Sequence, residues 1–152
     1  MKIGFVSDTH DHLTKIRNVV ALFNSHKVEY ILHAGDFVSP FALSPFELLS
    51  CEWVGVFGNN DGDKPYLTEK SRGRIKEPPF FLELNSKKIA LMHKFQKVDA
   101  DIIVCGHTHK PEIKKEDNMV IINPGEACGW LFHESSVVIL DLDTLEPEKI
   151  NF

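Results

Sequence analysis

Asp101-Ile102-Ile103-Val104-Cys105-Gly106-His107-Thr108-His109 is an apolar run that stops at a glycine and hands over to two histidines. Such a run reads as a buried strand, and the polar residues after it sit where the strand ends. In extended backbone residues two apart point the same way, so His107 and His109 are expected to present both imidazoles to one point in space. The pattern recurs near the other end of the chain. Ile3-Gly4-Phe5-Val6 is strand-like, and Asp8-Thr9-His10 follows it with a carboxylate and an imidazole two apart. Two such pairs, distant in sequence and each at a strand end, point to one metal site assembled from several loops.

The segments between them supply the rest of the sheet. Leu13, Ile16, Val20 and Phe23 recur at helical spacing with Lys15, Arg17 and Asn18 between them, which predicts an amphipathic helix to about Ser25. Tyr30-Ile31-Leu32 predicts a second buried strand running into His33-Ala34-Gly35-Asp36, and a strand-helix-strand unit implies a parallel sheet. Asp8 and Asp36 then leave the same carboxyl-terminal edge. A short helix is expected over residues 44–50, with Ser44 as its cap and Pro45 at the first helical position. Trp53-Val54-Gly55-Val56-Phe57 predicts a third strand that opens into Gly58-Asn59-Asn60-Asp61-Gly62-Asp63, a turn-rich polar cluster. Residues 64–76 have room for one helix, stopped by Pro78-Pro79. Beyond it strands dominate: a hairpin of residues 80–84 and 88–92 about Asn85-Ser86, delivering His93, then strands at 119–122, 136–142 and near 149–150. No repeat, low-complexity tract or linker interrupts the chain, so residues 1–152 are expected to form one domain.

Composition narrows the function classes. At 152 residues, 43% hydrophobic and 26% charged, the chain reads as an ordinary globular protein with enough length to bury a core. Its charge of −5, from 22 acidic and 17 basic side chains with no basic run, argues against a dedicated nucleic-acid surface. Cys51, Cys105 and Cys128 lack CxxC spacing, so buried thiols in a reducing compartment are expected rather than a disulfide framework or zinc ribbon. There is no signal-type apolar segment after Lys2 and no run of membrane-spanning length, which predicts a cytoplasmic protein without a membrane partner. Eight histidines is the unusual count, and it motivates a search for ligands.

The polar residues at strand ends are Asp8, His10, Asp36, Asn59, His93, His107 and His109. Taken singly, an Asp or Asn after a strand is most often a turn former or cap, and a lone His a hydrogen-bonded surface or core residue. Together these nitrogen and oxygen donors divide around two divalent ions if one carboxylate bridges. Two-metal sites, with ions roughly 3.5–4 Å apart, suit hydrolysis at phosphorus. Two doubly charged cations against two carboxylates leave a net charge of about +2, which attracts a phosphate ester and offsets charge building on its oxygens. Manganese (Mn2+) is the expected ion, and a mixed imidazole-carboxylate site also accepts Zn2+, Fe2+, Ni2+ or Co2+.

Asp8-x-His10, Gly35-Asp36, Gly58-Asn59-x-Asp61, His93 and Gly106-His107-x-His109 resemble, in order and position up to about Gly125, the five-part signature of the calcineurin-like metallophosphoesterases. The resemblance is to the small archaeal and bacterial phosphodiesterases of YfcE type in particular. It implies an α/β (α+β) fold, a four-layer αββα sandwich of two mixed β-sheets flanked by helices, with a dinuclear metal centre at the carboxyl ends of the strands. It also implies that Asp8, His10, Asp36 and His109 hold one metal while Asp36, Asn59, His93 and His107 hold the other, so that Asp36 bridges. The activity implied is hydrolysis of a small phosphodiester. A water shared by the metals, its pKa lowered to about 7 in the best-known zinc case, would attack phosphorus as hydroxide in line with the leaving group. A phosphomonoesterase is an alternative, as is a non-catalytic interaction scaffold like the retromer subunit built on this fold; loss of ligands would mark the scaffold.

The sequence departs from the family pattern at several points. Many members carry His after the motif Asn, where this chain has Asn60. An amide donates a hydrogen bond but cannot serve as a general acid, so a preference for good leaving groups and modest rates is expected. Asn60 and Asp61 are the catalytic candidates, Asp61 being alternatively a residue that holds the ligand loop or shapes its turn. Asn60 and Lys94 are the substrate-binding candidates. Lys94 stands where Gly is common, and is otherwise expected in solvent. Only residues 94–100 separate His93 from the next strand, where relatives often carry a helix. A stretch of that length spans at most roughly 25 Å, enough to return along a short strand but not to add a helix. His33 is either a residue that orients a ligand or a satisfied core histidine. Asn123-Pro124-Gly125 resembles a family turn near the site, with Glu126 in place of the usual Ser and its role open. His12, His26 and His133 fall outside the motif and are expected at the surface. With no insertion long enough to form a cap, the site should be open to nucleotides, cyclic nucleotides or other small diesters. Phe41, Phe46, Trp130 and Phe132 belong either to the core or to a homo-oligomer patch.

Overall fold

The three apolar runs of the first half become parallel strands β1 (Lys2–Val6), β2 (Tyr30–His33) and β3 (Glu52–Val56), joined by the short parallel β4 (Ile75–Lys76). The coordinates are a computed structural model and describe residues 1–116 and 119–152. Register places Val6 beside His33 and His33 beside Gly55, so the loops bearing Asp8, Asp36 and Asn59 leave one edge. Two further strands, β10 (Ser136–Asp141) and β11 (Glu146–Asn151), extend this sheet antiparallel from β1 in the order β11-β10-β1-β2-β3-β4. The second sheet runs β5 (Phe80–Leu84), β6 (Lys87–Leu91), β7 (Ile102–Val104), β9 (Met119–Pro124) and β8 (Pro111–Glu116). Its β6, β7 and β9 are parallel, with Leu91, Val104 and Ile122 in line. His93, Gly106 and Asn123 therefore also leave from one edge.

Strand alternation explains the layers. Phe5, Leu32, Val54 and Val56 point to one face and meet Ile89, Leu91, Ile102, Val104 and Ile122 of the second sheet in the central core. Val6, Ile31 and Trp53 point to the other face, where helix α1 (Leu13–Ser25) lays down Ile16, Val19 and Phe23. These positions share one helical face, and the fully buried Phe23 ring alone contributes about 1.5–3 kcal/mol by transfer from water. The two mixed sheets with flanking helices are the architecture expected, but the fourth layer is thin. The outer face of the second sheet, Met92, Ile103, Cys105 and Ile121, is covered by Val98, Ala100 and Met119. No helix forms between His93 and β7, as the length of that connection requires.

The structure corrects the expected elements at several points. Residues 40–48 form 3-10 turns (Pro40–Leu48) that begin earlier than the predicted 44–50 helix, with Ser39 at the cap position and Pro45 inside. Two prolines five residues apart cannot both occupy a first helical turn, and Pro45, which would remove an N–H from an α-helix and clash with its preceding turn, instead lies in short, tightly wound i+3 turns. Ser44, expected as a cap, instead donates to the Phe41 carbonyl at 3.0 Å. Helix α2 spans only Lys64–Lys70, opened by the Asp63 carboxylate accepting from Tyr66 N–H at 3.1 Å. Gly73, at φ +72, then turns the chain into β4. That strand and β8 were not anticipated: one is two residues long, and the other, Pro-Glu-Ile-Lys-Lys-Glu, is exposed throughout and carries no burial pattern. Phe46 is core, whereas Phe41, Trp130 and Phe132 are exposed. Among the described residues no helix is long and apolar enough to cross a membrane.

Candidate metal centre

The carboxyl edges of both sheets meet, and the loops leaving them are tied together through their backbones. Asp8 N–H donates to Gly35 O, Gly106 N–H to His93 O, Ala127 N–H to Ser7 O and Cys128 N–H to Asp8 O, all at 3.0–3.1 Å. Between them Asp8 Oδ1 lies 3.4 Å from His109 Nε2 and 3.7 Å from His10 Nε2. Asp36 Oδ2 lies 3.4 Å from His10 Nε2 and 3.4 Å from His93 Nε2, so one oxygen sits between two imidazoles. Asn59 Oδ1 is 2.9 Å from His93 Nε2. The connection after His93 is short, yet it delivers the ring, and Nδ1–H donates to Ala34 O at 2.8 Å, leaving Nε2 facing Asp36.

These donors fit a metal. Among the described residues, Asp8 Oδ1 and His10 Nε2 are buried without any hydrogen-bond partner, although buried polar atoms are rarely left unsatisfied. For ligands roughly 2.0–2.1 Å from an ion, tetrahedral geometry sets donor separations near 3.4 Å, the spacing found here. Asp8, His10 and His109 form one tight donor group, and Asp8, Asp36 and His93 another. Burial alone would raise the Asp8 pKa, but the nearby His10 imidazole, a hydrogen bond from Ser7 Oγ, and His93 and His109 close by hold it below the usual carboxylate range. Burial works in the opposite direction on His10, and the Asp8 and Asp36 carboxylates raise its pKa in spite of it.

The backbone is bent to make this possible. Asp8, His10, Asp36, His107 and His109 all have positive φ, between 39° and 68°. For residues other than glycine such conformations cost of order 1–3 kcal/mol each and gather at functional sites. They also overturn the expectation that His107 and His109 point together. Neither residue is extended, so the rings diverge. His109 stacks on His10 at 5.1 Å, while His107 meets the edge of His93 at 5.1 Å. His107 is solvent-exposed and lies outside the tight donor groups, and partial burial, with His93 and Lys94 beside it, lowers its pKa.

Residues 1–145 match the calcineurin-like phosphoesterase superfamily domain. The chain belongs to that superfamily. Phosphodiesterase MJ0936 of Methanocaldococcus jannaschii is 35% identical, over 99% of this chain and 98% of its own. A probable metallophosphoesterase of Methanothermobacter thermautotrophicus is 34% identical, over 94% of this chain and 87% of its own. A solved archaeal phosphodiesterase superimposes with a TM-score of 0.93 at 34% identity, each chain fully covered. YfcE from E. coli and Vps29 from Entamoeba histolytica share the fold, with TM-scores of 0.80 and 0.72 at 19% identity.

The phosphoesterase motif residues outside the donor groups have defined places. Asp61, a catalytic candidate by sequence, is buried and points away from solvent: its Oδ2 accepts from Gly58 and Asp36 N–H at 2.7 and 3.1 Å, and its Oδ1 from Val38 N–H at 2.7 Å. That geometry holds the ligand loop. Asn60 donates from backbone and side chain to the two Asp36 oxygens, at 2.8 and 2.7 Å. Lys94 is exposed beside a cavity of about 220 Å³ that it lines with Asn59, His93 and Lys64. His33 is a satisfied core histidine that also steadies a ligand loop, its Nδ1 accepting from Gly35 N–H and its Nε2 bonded to Thr9 Oγ1. His12, expected at the surface, is half-buried and stacks on Trp130 at 4.6 Å. The residue that sequence reasoning left without a role is Glu126, buried against His109. A charged side chain in the turn that leaves β9, directly before the apolar Ala127 and Cys128, was the available signal.

Proposed function

We propose that the chain is a metal-dependent phosphodiesterase that hydrolyses small phosphodiesters at a dinuclear centre. The observation that carries this reading is the pair of buried, partnerless donors Asp8 Oδ1 and His10 Nε2, with Asp36 Oδ2 between His10 and His93. The phosphodiesterase named among its relatives supports it, being similar over nearly the whole of both chains. Asp8, His10, Asp36 and His109 would hold one divalent ion, manganese by expectation, and Asp36, Asn59, His93 and His107 the other. Such ions supply Lewis-acid stabilisation of charge on phosphoryl oxygens and a water acidic enough to attack phosphorus near neutral pH.

The chain's own groups divide the remaining work. Asp36 would bridge the two ions, and Asp61 keeps its loop in register through three backbone N–H groups. The Asn60 amide, held next to Asp36 Oδ2, is a neutral donor to a phosphoryl or leaving-group oxygen and has no proton to give up. Lys94 is a flexible cation at the rim of the site, suited to a substrate phosphate. The substrate class is tested by comparing an activated aryl phosphodiester with the corresponding monoester in the metal-loaded protein. Faster turnover of the diester is the expected result, and a preference for the monoester overturns the assignment.

A further inference from the structure

Glu126 is almost fully buried, at 1% exposure, and has no Lys or Arg partner among the described residues. The backbone groups that face its carboxylate are donors, and its other two neighbours, the Cys128 thiol and His109 Nδ1, can donate to it. Leu131 N–H reaches Oε1 at 3.0 Å and Oε2 at 3.1 Å, Phe132 N–H reaches Oε1 at 2.6 Å, and the Cys128 thiol reaches Oε2 at 3.3 Å. His109 Nδ1 lies 2.8 Å from Oε2. Oε1 thus accepts from two backbone N–H groups and Oε2 from one, fixed donors that favour the ionised carboxylate as their acceptor. His109 must then carry its hydrogen on Nδ1, which leaves the Nε2 lone pair facing Asp8.

From this we infer that Glu126 is a positioning residue for the metal centre: it fixes the tautomer and ring orientation of His109, and so the donor that His109 offers. The inference rests on the metal-dependent reading above. Backbone contacts place it for the task. Glu126 N–H donates to the carbonyl of His109 itself at 3.1 Å, so the two residues are joined through main chain and side chain at once. The same carboxylate anchors residues 131 and 132, next to Trp130, whose indole N–H reaches the His10 carbonyl at 3.4 Å. One buried charge thus ties a metal-facing imidazole to the exposed lip of the site. A carboxylate behind an imidazole raises its basicity as a ligand, and losing such a partner typically costs 10–100-fold in metal affinity.

Glu126→Gln isolates the effect. The amide has one acceptor oxygen and one donor nitrogen, so it cannot face all of these donors; either His109 moves its hydrogen to Nε2 or the bond is lost. Long-range proton–nitrogen correlation spectra of metal-free, 15N-labelled protein, at a pH where imidazole is neutral, report the tautomer directly. Calorimetric titration with Mn2+ reports affinity. Wild-type His109 is expected in the Nδ1–H form. Glu126→Gln is expected to lose that form and to bind one Mn2+ about 10–100-fold more weakly, and Glu126→Asp, which keeps the charge, to retain the form in part. An Nε2–H tautomer in the wild type overturns the inference whether or not the variants fold, as does wild-type Mn2+ affinity in folded Glu126→Gln. If the wild type binds no Mn2+ at all, it is the metal-dependent reading that fails, while the tautomer still decides the role of Glu126.

Discussion

Asn60 is the residue at which this chain parts most clearly from its resemblance to the family. Its amide lies 2.7 Å from Asp36 Oδ2, the oxygen that sits between His10 and His93. Asn60→His would place a titratable donor there, and general acid catalysis is commonly worth 10²–10⁴-fold. The expected outcome is a gain confined to diesters with poor, alkoxide-like leaving groups and little change for nitrophenyl esters. Rates across a leaving-group series measure it, and a uniform change would show that Asn60 does not face the leaving group.

His33 makes a second prediction at the same scale. Burial pushes its pKa down to about 3, whereas in an unfolded chain it titrates near 6.5. Below that pH the unfolded state binds the extra proton, so stability falls as pH drops from about 6.5 toward about 3, by up to about 1.4 kcal/mol per pH unit. His33→Asn keeps an acceptor for Gly35 N–H and removes the titration. Its denaturant-unfolding stability should depend less steeply on pH across that window, and a slope equal to that of the wild type would contradict the account.

The elements matter here chiefly for where they stop. β1, β2 and β3 end in step, as do β6, β7 and β9, and the loops beyond them pass closer together than side chains permit. A Cβ on Gly58 would fall on Asp36 Oδ1, and one on Gly106 would fall on Ser7 Oγ with Asp8 Oδ2 2.7 Å away. Gly106→Ala should therefore displace Asp8, costing about 1–3 kcal/mol in stability as overpacking does. It should also weaken Mn2+ binding at least 10-fold, on the order of the loss of an orienting contact. Chemical denaturation and metal titration of the variant test both, and wild-type values for both would mean that this close approach is not needed.

Across the whole molecule, the sequence was most legible where period and burial coincide. The Leu13-to-Phe23 stripe marked α1, expected to end at about Ser25, and Asn85-Ser86 between apolar arms marked the β5–β6 hairpin. It was least legible at β8, an exposed edge strand with no alternation to read, and at the 3-10 turns, where proline spacing rather than hydrophobicity decides. Within the site, the donor types could be read, but not the left-handed backbone that sends His107 and His109 apart, nor the role of Glu126, because both depend on contacts between distant loops. The thiols follow the same logic. Cys105 and Cys128 are buried, with pKa values raised by burial to about 11 and about 12, while Cys51, expected to be buried, is only half so. Alkylation of the native protein near neutral pH should modify Cys51 first and leave the other two until unfolding; rapid labelling of all of them would contradict the packing described.

The most direct test of the central claim is hydrolysis of an activated aryl phosphodiester by metal-stripped protein as Mn2+ is added, with Asp36→Ala in parallel. Removing an outer partner of a metal ligand costs up to about 100-fold, so removing the bridging carboxylate should cost at least that. Activity that rises with Mn2+ in the wild type and falls at least about 100-fold in Asp36→Ala is the result expected. Protein that stays inert with every divalent metal tried, or an Asp36→Ala variant as active as the wild type, would contradict the account.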